Sequence, residues 1–187
     1  MKKVLITGAG SYIGTSFEHY LTEHYPGMYD VCTVDMRSDG WRNMAFRGYD
    51  VVFHVAGIAH IKETDENAEL YYKVNRDLTV ECAKKALSEQ VPHFVFLSSM
   101  SVYGMNSGRI IKETEPSPTT NYGKSKLEAE NDLNILANQF PNTFTVAILR
   151  PPMIYGKGCK GNYNALKKIA LSVPLFPDII NRRSMLY

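Results

Sequence analysis

Tyr122 and Lys126 stand four residues apart in "NYGKSK" (residues 121–126), a spacing that sets both side chains on one face of a helix. A phenol titrates near about 10 and is a poor base at neutral pH, but a neighbouring ammonium stabilises the phenolate and lowers that value. Held in a cleft, the two make a proton-transfer group; the same spacing also occurs on helices that only face water. Upstream, "FVFLSSMSVYG" (residues 94–104) is an apolar run that releases Ser98, Ser99 and Ser101 at its end. Hydroxyls there can bond a substrate oxygen and hand a proton to the tyrosine, or they can simply cap backbone groups where a strand ends.

A third stretch, "VLITGAGSYIG" (residues 4–14), reads as a strand entering a turn with Gly8, Gly10 and Gly14. Its spacing is G-x-G-x-x-x-G, not the G-x-G-x-x-G of the dinucleotide fingerprint. The context still fits, because an apolar run follows and ends at Asp35, 21 residues after Gly14. A helix starting here offers unpaired N–H groups and a positive dipole end to a pyrophosphate. Asp35 would accept from both hydroxyls of an adenosine ribose and repel a 2′-phosphate, which favours NAD over NADP. Arg37, two residues on, works against that repulsion.

The elements that must position these groups are legible as period. Short apolar, β-branched runs at 4–7, 31–34, 51–56, 94–97 and 146–149 have the near-continuous hydrophobicity of strands covered on both faces. Helical segments lie between them at 13–24, 68–88 and 122–139. In the second, Leu70, Val74, Leu78 and Cys82 repeat every four residues, and Val80, Ala83 and Leu87 supply another apolar side. Strands alternating with helices predict an α/β, doubly wound parallel sheet of the Rossmann type. Only a short link joins Asp35 to the strand at Val51, near the minimum for a right-handed crossover, so an element usual there is missing. Residues 1–150 form the expected cofactor domain, and residues 151–187 the start of a substrate-binding region.

With 187 residues, a net charge of +2 and 21% charged residues, the chain has room for a sizeable core and no overall field for nucleic acid or anionic lipid. Cys32, Cys82 and Cys159 are isolated, odd in number and without metal-ligand spacing, which suits a reducing compartment. "MKKVLITG" lacks the apolar stretch of a signal peptide, and no run reaches membrane-spanning length, so a soluble cytoplasmic protein is expected. The stretch from Pro151 is basic, with Lys157, Lys160, Lys167, Lys168, Arg182 and Arg183 against Asp178. It reads as a solvated face, with a landing site for phosphates as the alternative.

The ordered set of a "TGA" turn with an acid after the second strand, "HVAG" (54–57), "VN" (74–75), "SSMSVYG", "YGKSK" and "RPPMIYG" (150–156) resembles the extended short-chain dehydrogenase/reductases. Within them it is most similar to the NAD-dependent epimerase/dehydratase group typified by UDP-galactose 4-epimerase. The resemblance runs from residue 2 to the end. It implies that Tyr122 removes a hydroxyl proton as hydride passes to NAD, that Lys126 binds the nicotinamide ribose and lowers the tyrosine pKa, and that Ser99 is the catalytic serine, with Ser101 on the substrate side. It implies further that the dinucleotide lies along Gly8, Gly10, Tyr12, Ile13, Gly14, Met36, Leu97 and Ser98. His54, Val55, Ala56 and Gly57 would line it, Asn75 would brace it, and Pro152 and Met153 would face the carboxamide. For His54 and Asn75 the alternative is a polar side chain satisfied inside sheet–helix packing.

In that frame relatives write G-x-x-G-x-x-G, so Ser11 stands where the middle glycine belongs and is expected beside the pyrophosphate. Relatives that eliminate water carry acidic residues where this chain has Met100 and Ser101. That disfavours dehydration and leaves epimerisation of a nucleoside-diphosphate sugar through a transient ketone, with Arg183 aligned to the arginine for the diphosphate and Arg182 as the alternative. A carbonyl reductase and a cofactor-binding domain without turnover stay open. The trimmed link leaves Trp41 and Phe46 as the aromatic candidates near the adenine, without assigning either. Relatives continue beyond the position of Tyr187, so the chain is expected to be short of their C-terminal lobe. They also pair the Asn75 and Tyr122 helices in a dimer, which implies a homodimer here.

Overall fold

Runs rich in Val, Ile and Phe, too short for helices, form five parallel strands: β1 (Lys2–Thr7), β2 (Tyr29–Val34), β3 (Val51–His54), β4 (His93–Leu97) and β5 (Thr145–Leu149), in the order β2-β1-β3-β4-β5. They belong to a computed structural model that describes residues 1–59, 61–159, 162–172 and 182–187. Lys160 and Asp178 of the basic stretch lie outside the described residues. Between the strands run α1 (Tyr12–His24), α2 (Gly40–Asn43), α3 (Ala68–Tyr72), α4 (Leu78–Ser88) and α5 (Asn121–Gln139). The sheet is parallel throughout, as the alternation of strand and helix requires. Its order reverses between β1 and β3, and open α/β sheets bind ligands at the carboxyl ends of strands flanking such a point.

The residues form two compact units, Met1–Arg150 and Pro151–Tyr187. In the second, β6 (Met153–Ile154) pairs in parallel with β7 (Met185–Leu186), and α6 (Asn162–Ser172) lies between them in the chain. Among the described residues no helix is long and apolar enough to cross a membrane.

Strand pleating divides the core of the first unit. On one face Leu5, Val52, Phe94 and Phe96 pack with Cys82, Ala83 and Ala86 of α4 and with Ala129, Leu133 and Leu136 of α5. Val4, Ile6 and Phe53 on the other face meet Ile13 and Phe17 of α1. Coverage of this second face thins toward β5, where Val146 and Ile148 are half-buried but Thr145, Ala147 and Leu149 are exposed. The expected two-sided burial therefore holds best for the central strands. β3 also ends at His54, two residues earlier than the apolar run suggested.

The segment 68–88 departs from its expected pattern in two ways. Leu70 is exposed, and the buried side runs through Tyr71, Asn75, Thr79, Cys82, Ala83 and Ala86. Second, the helix is interrupted between α3 and α4 by a π-type turn, Lys73–Asp77, closed by the N–H of Leu78 on the Lys73 carbonyl. Such turns reset the helical phase and are frequent at functional sites; here the phase shift brings Asn75 and Thr79 inward. The outward surface is charged, with Asp77, Glu81, Lys84 and Asp132 lining a shallow groove of about 300 Å³.

The link 36–50 is filled rather than open. Trp41 and Phe46 are fully buried in the main core with Met36, which removes both rings, and the Met36 side chain, from the surface where an adenine would lie. The link is tied to α4 by Arg42 on Glu81 at 2.5 and 2.7 Å.

Where β4, β5 and α5 meet, Glu130 is nearly inaccessible, its side chain 2% exposed, and it pairs with Arg150 through Nε at 3.0 and 3.1 Å and Nη2 at 2.5 Å. Removing one partner of a buried pair strands the other charge. Arg150→Met should therefore lose about 3–5 kcal/mol of stability, read from urea unfolding at pH 7; a loss below about 1 kcal/mol would mean that the pair is solvent-compensated.

Candidate active site

β1 delivers Gly8 to the glycine turn with φ +90°, and Gly10 follows at φ +73°, backbone that side chains other than glycine's rarely adopt. Gly8 is needed for space as well: a Cβ there would sit 3.1 Å from Ala56 N and Cα, where the loop after β3 passes. A Cβ on Gly14 would meet Ser11 Oγ at 2.7 Å and the Ile6 and Val55 methyls at 3.2 Å. The Gly8 and Ala9 N–H groups bond Val34 O at 2.8 and 3.0 Å, fixing the turn to β2.

Ser11 has a structural part at the turn. It is the N-cap of α1, and its Oγ accepts from the Gly14 N–H at 3.1 Å. The N–H groups of Tyr12 and Ile13, in the first turn, are those an α-helix leaves without an intrahelical acceptor, and the positive helix end lies there. A strand-to-helix turn shaped by close backbone approach, with free first-turn donors, fits a pyrophosphate. Asp35, just past β2, has its carboxyl pulled down to about 2 by Arg37, whose guanidinium and backbone N–H both bond it, at 2.6–3.0 Å. Arg37 is 85% and Asp35 42% exposed at the side chain, so this pair is solvent-screened.

At the carboxyl end of β4, Ser99 caps a short 3₁₀ turn (Met100–Tyr103): its Oγ accepts from Ser101 N–H at 3.1 Å and lies 3.0 Å from Ser101 Oγ. Ser98 donates to Glu130, so it belongs to the buried ion pair and not to a ligand surface. α5 packs against this turn by backbone, because a Cβ on Gly123 would stand 2.6 Å from Ser101 O. Its N-terminus is capped twice. Thr120 Oγ accepts from Gly123 N–H at 3.1 Å, and the Glu63 carboxylate accepts from the N–H groups of Asn121 and Tyr122, each at 3.0 Å.

Tyr122 is half-buried, its ring edge-on to Tyr71 with centroids 6.4 Å apart. Burial raises its pKa, and the Ser99 hydroxyl works the other way. Lys126 is buried one turn on. Its Nζ donates to Leu97 O at 2.9 Å and lies 4.6 Å over the Phe96 ring. Burial lowers its pKa to about 8, against the pull of Glu130. Ser99 is thus a group that works against the effect of burial on Tyr122 here. A Cβ on Gly57 would come within 2.9 Å of Asn75 Oδ1 and 3.2 Å of Lys126 Nζ, so Gly57, Asn75 and the lysine head share one small space.

His54 and Asn75 belong to a buried chain of hydrogen bonds. Thr79 donates to Asn75 O at 2.8 Å and so accepts from His54 Nε2 at 3.0 Å, which leaves Nδ1 to accept from Thr7 Oγ1 at 2.8 Å. Desolvation, then the Lys126 charge, depress the His54 pKa to about 3. The ring is neutral, fully buried and stacked on Phe94, the packed alternative for this residue. Asn75 clamps Ile58 through both its amide atoms, at 2.9 and 3.0 Å, and reaches Ser125 Oγ at 3.3 Å; Ser125 donates to Tyr122 O at 3.0 Å.

The first unit thus brings together Ser99, Ser101, Tyr122, Lys126, Gly57 and Asn75, and separately Gly8, Gly10, Ser11, Tyr12, Ile13 and Gly14 with Val55 and Ala56. Pro152, Met153 and Arg183 lie in the second unit, where Met153 is in β6 and Arg183 is an exposed residue just before β7. Sequence reading passed over Glu63, Thr79, Ser125, Glu130 and Arg150. Glu130 is four residues beyond Lys126, and Thr79 four beyond Asn75, so the same-face rule would have found both. Nothing in the spacing marks Glu63.

A family model described as "NAD dependent epimerase/dehydratase family" matches residues 4–174. The chain is 30% identical to the UDP-glucose 4-epimerase of Vibrio cholerae, over 98% of its own length and 62% of the relative's. It is also 30% identical to the N-acetyl-alpha-D-glucosaminyl-diphospho-ditrans,octacis-undecaprenol 4-epimerase of Escherichia coli O157:H7, over 89% and 54%. Among solved structures it is similar to MoeE5 in complex with UDP-glucose and NAD, with a TM-score of 0.74 and 25% identity, covering 84% of this chain and 56% of that one. The chain therefore spans a little over half the length of these relatives.

A lysine whose pKa is about 8 when folded and about 10.5 when unfolded is protonated in the unfolded chain and neutral in the folded one between those values. The unfolded state then binds more protons, and stability rises with pH across that window. Chemical unfolding of the wild type and of Lys126→Met from pH 7 to 10.5 should show this rise in the wild type and its absence in the variant; parallel pH profiles would contradict it.

Proposed function

The chain belongs to the NAD-dependent epimerase/dehydratase family, and from that premise we propose that it takes part in epimerising a nucleoside-diphosphate sugar through a transient keto sugar. The observation that carries this reading is the Tyr122 phenol beside Ser99, one helical turn from the buried Lys126 ammonium, at the carboxyl end of β4, the strand next to β3 on one side of the order reversal. A protein that only stored the cofactor would have no use for a half-buried phenol one turn from a buried lysine, each of which costs free energy to desolvate.

NAD, when bound, supplies a reversible hydride acceptor. The chain's residues do the rest. The first-turn N–H groups of α1 would hold the pyrophosphate, with Gly8 and Gly14 keeping the space clear, and Asp35 would accept from the adenosine ribose. Lys126, charged at pH 7, would bond the nicotinamide ribose from the space it shares with Gly57 and Asn75. Tyr122 would remove the proton from the sugar hydroxyl and return it, and Ser99 would steady the oxygen as charge develops on it. The raised Tyr122 pKa keeps the phenol protonated until charges in the filled site lower it, so the base form appears only when substrate can use it. Tyr122→Phe keeps the ring contact with Tyr71 and deletes the proton carrier.

Epimerisation is preferred to dehydration because Met100 and Ser101 provide no acid for eliminating water. A homodimer through α4 and α5 is part of the same reading; their charged outer surface makes it salt-sensitive. Incubation with a panel of UDP-, GDP- and dTDP-sugars, without added reductant, should interconvert one pair. Tyr122→Phe should lower kcat by about 10²–10⁴-fold while NAD still binds. Net consumption of NADH in place of interconversion would turn the assignment to a reductase.

A further inference from the structure

Glu63 reaches α5 from a loop 58 residues away in sequence, and its two oxygens take the N–H groups of Asn121 and Tyr122 at 3.0 Å each. Thr120 Oγ takes Gly123 N–H, and Lys124 N–H bonds Thr120 O at 2.9 Å. The N–H groups of Asn121, Tyr122 and Gly123, which the helix itself leaves without acceptors, are thereby satisfied, and Tyr122 is one of the two held from outside the helix's own chain segment. Among the described residues Glu63 enters no ion pair, so its charge is set against the positive end of α5 alone.

The loop that carries Glu63 is itself fixed. Asn75 bonds both backbone groups of Ile58, Tyr71 OH donates to Ile61 O at 2.7 Å, and Asn67 joins Lys62 O at 2.9 Å to Thr64 N–H at 3.0 Å. Tyr71 also lies edge-on to the Tyr122 ring. One loop, leaving β3 at the order reversal, therefore holds the backbone of Tyr122 through Glu63 and anchors the ring that packs on it. The Gly57 end of the same loop sits beside Lys126.

We propose that Glu63 is a positioning residue for Tyr122, tying the catalytic helix to the β3 loop so that phenol and cofactor cleft keep one geometry. This rests on the epimerase reading, in which Tyr122 moves the proton. A misplacement of about 1 Å can cost about 10²-fold in rate, and a carboxylate accepting both N–H groups suits the task where an amide, turning its NH₂ to one of them, does not.

The test uses Glu63→Gln, Glu63→Asp and, as a matched loss of capping on the same helix, Thr120→Ala. Amide hydrogen exchange in Glu63→Gln should quicken at least tenfold at Asn121 and Tyr122, with Gly123 changing less than threefold. In the sugar assay kcat should fall at least tenfold while KM stays within twofold. Glu63→Asp, keeping both oxygens, should retain more kcat, and Thr120→Ala should lose at least fivefold less than Glu63→Gln. Unchanged exchange at Tyr122, an unchanged kcat, a loss confined to KM, or equal losses in Glu63→Gln and Thr120→Ala would each overturn the proposal. If the wild type turns over no sugar, the epimerase reading fails with it, whereas the exchange readout still decides whether Glu63 holds Tyr122.

Discussion

A lysine ammonium buried between a helix and a sheet has to be satisfied by protein, and the ways Lys126 is satisfied set the rest of the site. Its Nζ bonds the last carbonyl of β4 and lies over the Phe96 ring, while Glu130 supplies the opposing charge from one turn further along. These contacts fix the rotation of α5 over the strand. With that rotation fixed, Tyr122 falls one turn toward the helix N-terminus, beside Ser99. The close approach also explains Gly123, since any side chain there would strike the Ser101 carbonyl.

Glu130 in turn needs Arg150, which also bonds Tyr103 OH at 2.8 Å, and it receives Ser98. The ends of β4 and β5 and the middle of α5 are thus joined by one charged cluster next to the candidate chemistry. Buried ions are poor sources of net stability. What this cluster does is hold a geometry: two adjacent strand ends cannot shift without leaving a charge unpaired. The uncharged chain from Thr7 through His54, Thr79 and Asn75 to Ser125 and the Tyr122 carbonyl does the same across the order reversal, joining β1 to α5 with each polar group paired.

Much of this was legible because it is periodic or local. Five apolar runs marked the strands, the alternation with helices marked a parallel sheet, and Tyr122 with Lys126 showed a shared face by spacing alone. What misled were positions where a polar residue does structural work. Asn75 and Thr79 fill the inward side of a helix whose obvious apolar stripe began at Leu70, and a π-type turn shifts the phase between the two patterns. Ser11 reads as a replaced glycine, and the structure adds that its hydroxyl caps α1. Trp41 and Phe46 read as unassigned candidates near the adenine, yet both rings are buried in the core.

By itself the sequence determined the sheet, its parallel sense, the glycine turn and the one-face pairing of phenol and lysine, because each depends on repeats within a few residues. Only the tertiary structure decided which charges those groups would meet. Glu63 and Tyr122 are 59 residues apart, and Arg150 and Glu130 are 20 apart; no local period links them. Such contacts follow from the order of strands in the sheet, and they hold α5 against β4, where burial raises the Tyr122 pKa and lowers that of Lys126.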